Sequence, residues 1–375
     1  MNYTLQTLMH ERTRYAAGVG AVAFSAMLMA LQFGLMLGLF TITSTPIDRT
    51  DDRNVWIGSK DVQSVDLGRP IPLSHIGRIG ERPGVAPPEP FIGMFASFEK
   101  PDGGTDLCFL LGSNLENDSA GAADVLTPTL RKALTEPYSI VMDESDMKRM
   151  GLTKVDQTAK INGKEVRLVG SVQGLKSLAA PWVLCSVPTA RDIATAVLPA
   201  DNVTYLIARC ESAARAESLA RELKAEYPEM TAVTADKFSL NSRLYWLFRT
   251  KAGVAIGYAA LLGLAVGAVV TAQTLYAATM ASAREYATLF ALGIPRYRVY
   301  ISVLLQAFWV GIVGILLAYP AVLGLAWVAE QAGAKVLLRW EVLAGAGGIT
   351  LMTALFAGLI ALRSVRTIEP MSLLR

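Results

Sequence analysis

Four long stretches without a single charged residue constrain this chain more than any other feature. They run from Tyr15 to Ile47, Ala252 to Ala283, Val299 to Ala329 and Val342 to Leu362. Crossing the hydrocarbon core of a bilayer takes about 20 apolar residues in a helix. Inside lipid every backbone N–H and C=O must be paired within its own segment, so each run is expected to be helical. The expected spans are residues 15–42, 251–283, 299–329 and 342–362. Composition agrees: 52% of residues are hydrophobic and 18% charged, against about 25% charged in soluble domains. The first run exceeds the roughly 7–15 residues of a signal-peptide core. It leads into Phe40-Thr41-Ile42-Thr43 with no Ala-x-Ala site, and is read as a retained anchor.

Basic residues mark the short ends of these runs. Arg12 and Arg14 precede the first, Arg284, Arg296 and Arg298 lie between the second and third, and Arg363, Arg366 and Arg375 follow the fourth. Only Glu11, Glu285 and Glu369 oppose them, whereas loop 330–341 balances Lys335 and Arg339 against Glu330 and Glu341. The positive-inside rule then puts both termini and loop 284–298 in the cytoplasm and residues 43–250 outside it. Arg243, Arg249 and Lys251 run against that rule beside the second span, where a long translocated domain weakens it. The expectation is a multi-pass protein of the inner (plasma) membrane. Its fold class is membrane α-helical: four transmembrane helices, one plus three, with a large mixed α/β extracytoplasmic domain over 43–250. Residues 1–14 are expected to form a cytoplasmic amphipathic helix, with Leu5, Leu8 and Met9 at i, i+3, i+4. Loop 330–341 is expected to be external and tail 363–375 cytoplasmic.

Within 43–250, strands are expected at Asn54–Gly58, Thr105–Leu111, Tyr138–Met142 and Pro181–Val187. Residues 68–90, rich in Pro and Gly, are expected to be irregular. Helices are expected at Pro128–Ala133 and Asp143–Met150, the latter stopped by Gly151. Runs Gln157–Ile161 and Glu165–Val172 flank Asn162-Gly163, a strong hairpin signal because both residues tolerate positive φ. Thr204–Arg209, Ala213–Glu226 and Met230–Thr234 read as strand, helix, strand. Cys108, Cys185 and Cys210 all lie in this segment, an odd number with no metal-ligand spacing. One disulfide among them is open but not expected.

The spans hold three glycine pairs spaced for close helix approach, Gly34/Gly38, Gly253/Gly257 and Gly263/Gly267. Pro320 is expected to kink or interrupt the third span. Gln32, Gln273 and Gln306 are the notable polar side chains in the spans. No acidic cluster sits there, which argues against an ion-coupled pump or channel. The sequence holds no G-x-x-x-x-G-K-[ST], H-E-x-x-H or G-x-S-x-G, so no nucleotide cradle, catalytic site, metal site or cofactor site is expected. Energy for any work must then come from a partner.

The second cytoplasmic loop is the informative stretch. From Arg284 it reads as a short helix carrying Tyr286, Leu289 and Phe290 on one face, ended by Gly293 and Pro295. A projecting helix with an apolar face needs a docking partner, or else lies on the lipid surface.

Arg284-Glu285, Leu289 and Ala291-Leu292-Gly293 resemble the R-E-I-x-x-L-R-A-x-G motif of FtsX-like, or MacB-type, permeases. Arg366 to Arg375 resembles that family's closing R-x-x-P-x-x-A-L-R. The one-plus-three topology matches as well. Leu8-Met9-His10-Glu11-Arg12-Thr13-Arg14 and the hairpin at Ile161–Gly170 are similar to the DevC-type members. Tyr286, Phe290, Ile294-Pro295 and Ser372 depart from the pattern. The resemblance implies a permease pairing as a homodimer with a separate ABC ATPase subunit that binds ATP and Mg. The ATPase-coupling residues are then Arg284, Glu285, Tyr286, Leu289, Phe290, Leu292, Gly293 and Arg296. The implied work is export of a substrate, such as a lipid, glycolipid or other amphiphile, through a periplasmic adaptor (a membrane fusion protein) and an outer-membrane channel. Membrane lipid is an expected partner and nucleic acid is not. Relatives of the same architecture regulate a cell-wall hydrolase mechanically or release lipoproteins. A receptor or scaffold is the reading outside the family.

Overall fold

The computed structural model describes residues 12–116, 118–175, 180–282, 288, 292–331 and 336–366. The chain divides into an α/β unit, Leu39–Thr250, and a helical unit made of Met1–Gly38 with Lys251–Arg375. The expected amphipathic helix over 1–14 and the closing motif after Arg366 lie almost wholly outside the described residues.

Among the described residues, four helices are long and apolar enough to cross a membrane. They run Arg12–Thr43, Lys251–Ala281, Arg296–Gln331 and Trp340–Arg366 and are called the first to fourth spans below. The shortest has 27 residues, about 40 Å of helix against a hydrocarbon core of about 30 Å. The fold class is thus four membrane helices with a large α/β domain.

Small residues set how closely the spans approach. A Cβ on Gly267 would lie 2.2 Å from Ser25 Oγ and 3.0 Å from Met29 Cε, and one on Gly263 would lie 2.0 Å from Gln32 Oε1. The Gly263/Gly267 pair is therefore a true contact surface between the first two spans, whereas Gly257 faces open space. A Cβ on Gly314 would meet Val22 at 2.7 Å, and one on Gly358 would meet Ala307 at 2.9 Å. The third span continues unbroken through Pro320; the expected interruption does not occur.

The α/β unit is built on one sheet of strands β1 (Asn54–Ser59), β3 (Glu89–Glu99), β4 (Thr105–Ser113), β5 (Ser139–Asp143), β6 (Thr158–Ile161), β7 (Lys164–Val172), β8 (Trp182–Ser186), β10 (Tyr205–Arg209) and β11 (Met230–Thr234). The short strands β2 (Ile71–Pro72) and β9 (Asn202–Val203) pair separately. The order in the large sheet is β11-β1-β10-β3-β4-β8-β5-β7-β6, and β6 also pairs with β3. Strands β3, β4, β8, β5, β7 and β6 therefore close on themselves, and β10, β1 and β11 extend the sheet from β3. Strand β3 serves both parts along one edge: Glu89 to Phe91 pair with β10, and Phe98 and Glu99 with β6. Alternate side chains feed two cores. Phe98, Cys108, Leu110, Met142 and Cys185 enter one, and Phe109, Leu111, Val141, Trp182 and Leu184 the other. Asn162 and Gly163 take φ of 48° and 78° and join β6 to β7 as the hairpin signal predicts. The three cysteines are buried and unpaired.

Helices α1 (Thr45–Asp48), α2 (His75–Gly80), α3 (Pro128–Leu134), α4 (Glu144–Met147), α5 (Val187–Ile193), α6 (Ala213–Glu226) and α7 (Ala235–Arg249) flank the sheet. Helix α6 buries Ala216, Leu219 and Leu223 and is capped by Ser212, whose Oγ accepts the Arg215 N–H at 3.2 Å. Three expectations need correcting. Residues 68–90 are not irregular throughout, since they contain β2, α2 and the start of β3. The helix expected over 143–150 is a single regular turn, α4, before Gly151 turns the chain at φ +73°. Strand β8 ends at Ser186 and not at Val187, because Ser186 caps α5 and Pro188 sits in its first turn.

Candidate functional site

Of the residues read as ATPase-coupling, Arg284, Glu285, Tyr286, Leu289 and Phe290 lie outside the described residues. Leu292, Gly293 and Arg296 lie within them. Leu292 donates its N–H to the Thr288 carbonyl at 3.0 Å, an i→i−4 bond. Gly293 follows at φ +81°, the left-handed conformation that ends helices. Arg296 opens the third span. Leu292 is 74% exposed.

A second constellation, missed in the sequence, sits in the α/β unit where the chain leaves the first span and approaches the second. The Asp48 carboxylate accepts from Ser44 Oγ at 2.7 Å, Ser239 Oγ at 2.5 Å and Arg243 Nη2 at 2.6 Å. Arg243 Nε also donates to Ser44 Oγ at 2.7 Å. These bonds clamp α1 to α7. Arg243, which runs against the positive-inside rule, is thus half of a structural ion pair. One turn on, the Ser64 and Ser242 hydroxyls meet at 2.7 Å, and Trp246 Nε1 donates to Asp66 Oδ1 at 3.3 Å. Beneath them Phe238 packs against Trp56 and Tyr205 with ring centroids 5.6 and 5.8 Å away. The Tyr205 hydroxyl donates to the Val65 carbonyl at 2.9 Å, and burial pushes its pKa well above the usual phenol value. Helix α7 is therefore fixed to the sheet by an aromatic wedge and to α1 by a charged clamp. It ends at Arg249, and one extended residue, Thr250, leads into the second span.

Among the described residues, clefts open on this unit at two places of interest. One, of about 510 Å³, is lined by Leu115, Glu116, Pro137, Tyr138, Pro188 and Asp192 among others. Tyr138 holds φ at +59°, which is uncommon for an aromatic residue. Its N–H donates to Thr189 Oγ1 at 3.2 Å and its hydroxyl to Asp192 Oδ2 at 2.6 Å. That hydroxyl, then Lys164 at 3.2 Å, holds the Asp192 pKa below the usual carboxylate value. The second cleft, of about 310 Å³, is lined by Gln63, Asn241, Leu244, Tyr245, Phe248 and Arg249. In the helical unit Gln32 Oε1, Ser25 Oγ and Thr271 Oγ1 are buried with no hydrogen-bond partner among the described residues.

Residues 257–370 match the FtsX-like permease C-terminal family model. This region is thus similar to the C-terminal part of FtsX-like permeases. The matched residues run from the second span to the tail and include the whole loop that carries Arg284 to Arg296. Comparison with curated protein sequences yields no match. Among solved structures, the periplasmic region of MacB from Actinobacillus actinomycetemcomitans is similar at 13% identity and a TM-score of 0.37, over 52% of this chain and 94% of that one. The extracellular domain of the noncanonic ABC-type transporter YknZ from Gram-positive bacteria is similar at 12% identity and a TM-score of 0.34, over 48% of this chain and 100% of that one.

Proposed function

We propose that this chain is the permease subunit of a MacB-like ABC exporter and works with a separate ATPase subunit. The observation that carries the reading is the match of residues 257–370 to the FtsX-like permease C-terminal family model, because the matched residues include the loop between the second and third spans. The loop has the chemistry a docking helix needs. Tyr286, Leu289, Phe290 and Leu292 supply apolar contact, Arg284, Glu285 and Arg296 supply charge, and Gly293 supplies the turn. Leu292 is exposed now, and burying such a side chain against a partner contributes about 1.5–3 kcal/mol. With loop 284–298 and both termini in the cytoplasm, the ATPase sits on that side and the α/β unit outside. Two permeases act as a homodimer in the inner membrane, and ATP-driven closure of the ATPase pair moves the spans. The stroke reaches the α/β unit through the two chain connections at α1 and α7, which the Asp48–Arg243 clamp makes move together. The substrate, a lipid, glycolipid or other amphiphile, then passes from the periplasmic side to an adaptor and an outer-membrane channel.

Leu289→Asp tests the reading. It places a charge on the docking face, and leaves the protein folded and in the membrane. We expect at least a tenfold loss of ATPase-driven transport, since about 1.4 kcal/mol of lost docking already gives that factor. Normal transport by this variant contradicts the assignment of the loop.

A further inference from the structure

We propose that the cleft at the end of α7 binds the headgroup of an anionic phospholipid. Three observations point to it.

The first is position. Arg249 lies two residues before Lys251, where the second span begins. Two residues of extended chain cover at most about 7 Å. The headgroup layer on each side of the hydrocarbon is about 5–7 Å thick. The covalent chain itself therefore ties the lip of the cleft to within about 7 Å of the start of the second span.

The second is charge and hydrogen-bond supply. The cleft offers the Arg249 guanidinium, the Gln63 and Asn241 amides and the Tyr245 hydroxyl, and its lining includes no carboxylate. None of these four side chains has a hydrogen-bond or ion-pair partner among the described residues. Asp66, the nearby acid, already accepts from Ser64 Oγ and Trp246 Nε1. A phosphate diester is an acceptor-only anion, so such a donor set meets it and repels nothing. Arginine suits the role because its planar fork can engage two phosphate oxygens at once. The carbonyl end of α7 disfavours an anion on the helix axis, so the phosphate sits beside the last two turns, in reach of Arg249 and Asn241.

The third is the apolar half of the site. Leu244 and Phe248 line the same cleft and stay exposed on the face of α7 turned away from the sheet, with Leu240 one turn earlier. Polar donors beside an apolar strip at a membrane boundary match an amphiphile and not a free ion. The site also accounts for Arg249, a basic residue that the positive-inside rule does not favour here and that, unlike Arg243, has no acidic partner among the described residues.

The test uses the full chain in nanodiscs of phosphatidylcholine with a minority of phosphatidylglycerol. After mild detergent extraction, retained lipid is counted by native mass spectrometry. The wild type is expected to keep phosphatidylglycerol in preference to phosphatidylcholine. Arg249→Gln should cut that preference about fivefold, the worth of one basic side chain near a charged bilayer. Asn241→Ala should give a smaller loss and Arg249→Lys a partial one. Arg221→Gln, an exposed change on α6, should leave retention unchanged and controls for general charge. No preference in the wild type, or an unaltered one in Arg249→Gln, overturns the proposal. Displacement of the lipid by inorganic phosphate at equal concentration overturns the lipid assignment and leaves a phosphate site.

Discussion

In the α/β unit, Trp56, Tyr205, Phe98 and Phe109 are at most 1% exposed, while in the helical unit Tyr258, Leu262, Leu316 and Trp327 are 70, 66, 66 and 63% exposed. The same kinds of side chain face inward in one unit and outward in the other. The difference follows from the solvent. Water drives apolar surface of the α/β unit into its two cores, each built of large interlocking residues. Lipid gives the spans no such drive, so they associate through close approach, with Gly263, Gly267, Gly314 and Gly358 at their contacts. One unit should therefore be most sensitive to making large residues small, and the other to making small residues large.

The largest expected effect breaks the α/β side. Phe238→Ala removes a fully buried ring from the cluster with Trp56 and Tyr205. It should cost about 3–5 kcal/mol. In the full chain in detergent, the tryptophan-fluorescence transition should move to lower denaturant while the helical far-UV signal of the spans persists. A shift below about 1 kcal/mol shows that the aromatic wedge does not hold α7.

Gly267→Leu makes the opposite change in the helical unit. Its side chain meets Ser25 and Met29, and overpacking of this kind costs about 1–3 kcal/mol. The variant should lower the recovery of monodisperse protein and leave the fluorescence transition in place. If Phe238→Ala and Gly267→Leu damage the same transition, the two units do not obey separate rules.

A smaller effect belongs to the clamp. Asp48 and Arg243 are each 31% exposed at the side chain, so solvent screens them in part. Asp48→Asn and Arg243→Met should each cost about 1–2 kcal/mol. The pair should cost less than the sum in a double-mutant cycle; strict additivity would break the clamp.

Acid gives the smallest and most gradual signal. Asp106, Asp192, Glu222 and Glu226 all have lowered pKa values, held down chiefly by the Leu107 N–H, the Tyr138 hydroxyl, Arg215 and Arg82 respectively. A depressed carboxylate contributes stability above its unfolded pKa and loses it as pH falls through the folded one. The α/β unit should therefore weaken progressively below about pH 4. An α/β transition that does not move between pH 5 and 3 contradicts this.

The spans were legible because charge-free runs need no partner to interpret. The β6–β7 hairpin was legible because Asn162-Gly163 carries its own backbone chemistry, and α6 because its buried face repeats at helical spacing. Strand β3 was not. Phe91 and Ile92 at its start are buried toward different cores, and farther along Phe95 is apolar yet exposed between the buried Ile92, Ala96 and Phe98, so burial alternates in the fold but hydrophobicity does not alternate in the sequence. Helix α7 was hidden by an inverted face: it buries Ser239 and Ser242 with Phe238 and exposes Leu240, Leu244 and Phe248. The clamp joins residues 195 positions apart, and only the fold brings them together. In loop 284–298 the stop at Gly293 is the part that local backbone chemistry dictates; a role in docking an ATPase came only from the resemblance.

The central claim is that this chain works as a permease driven by a separate ATPase. The direct test is purification of the tagged full chain from native membranes in mild detergent, with mass spectrometry of what accompanies it. The account predicts a co-purifying protein with a P-loop, lost when Leu289 is replaced by Asp. Purification without any ATPase, and no association on co-expression with candidate ATPases, would contradict it.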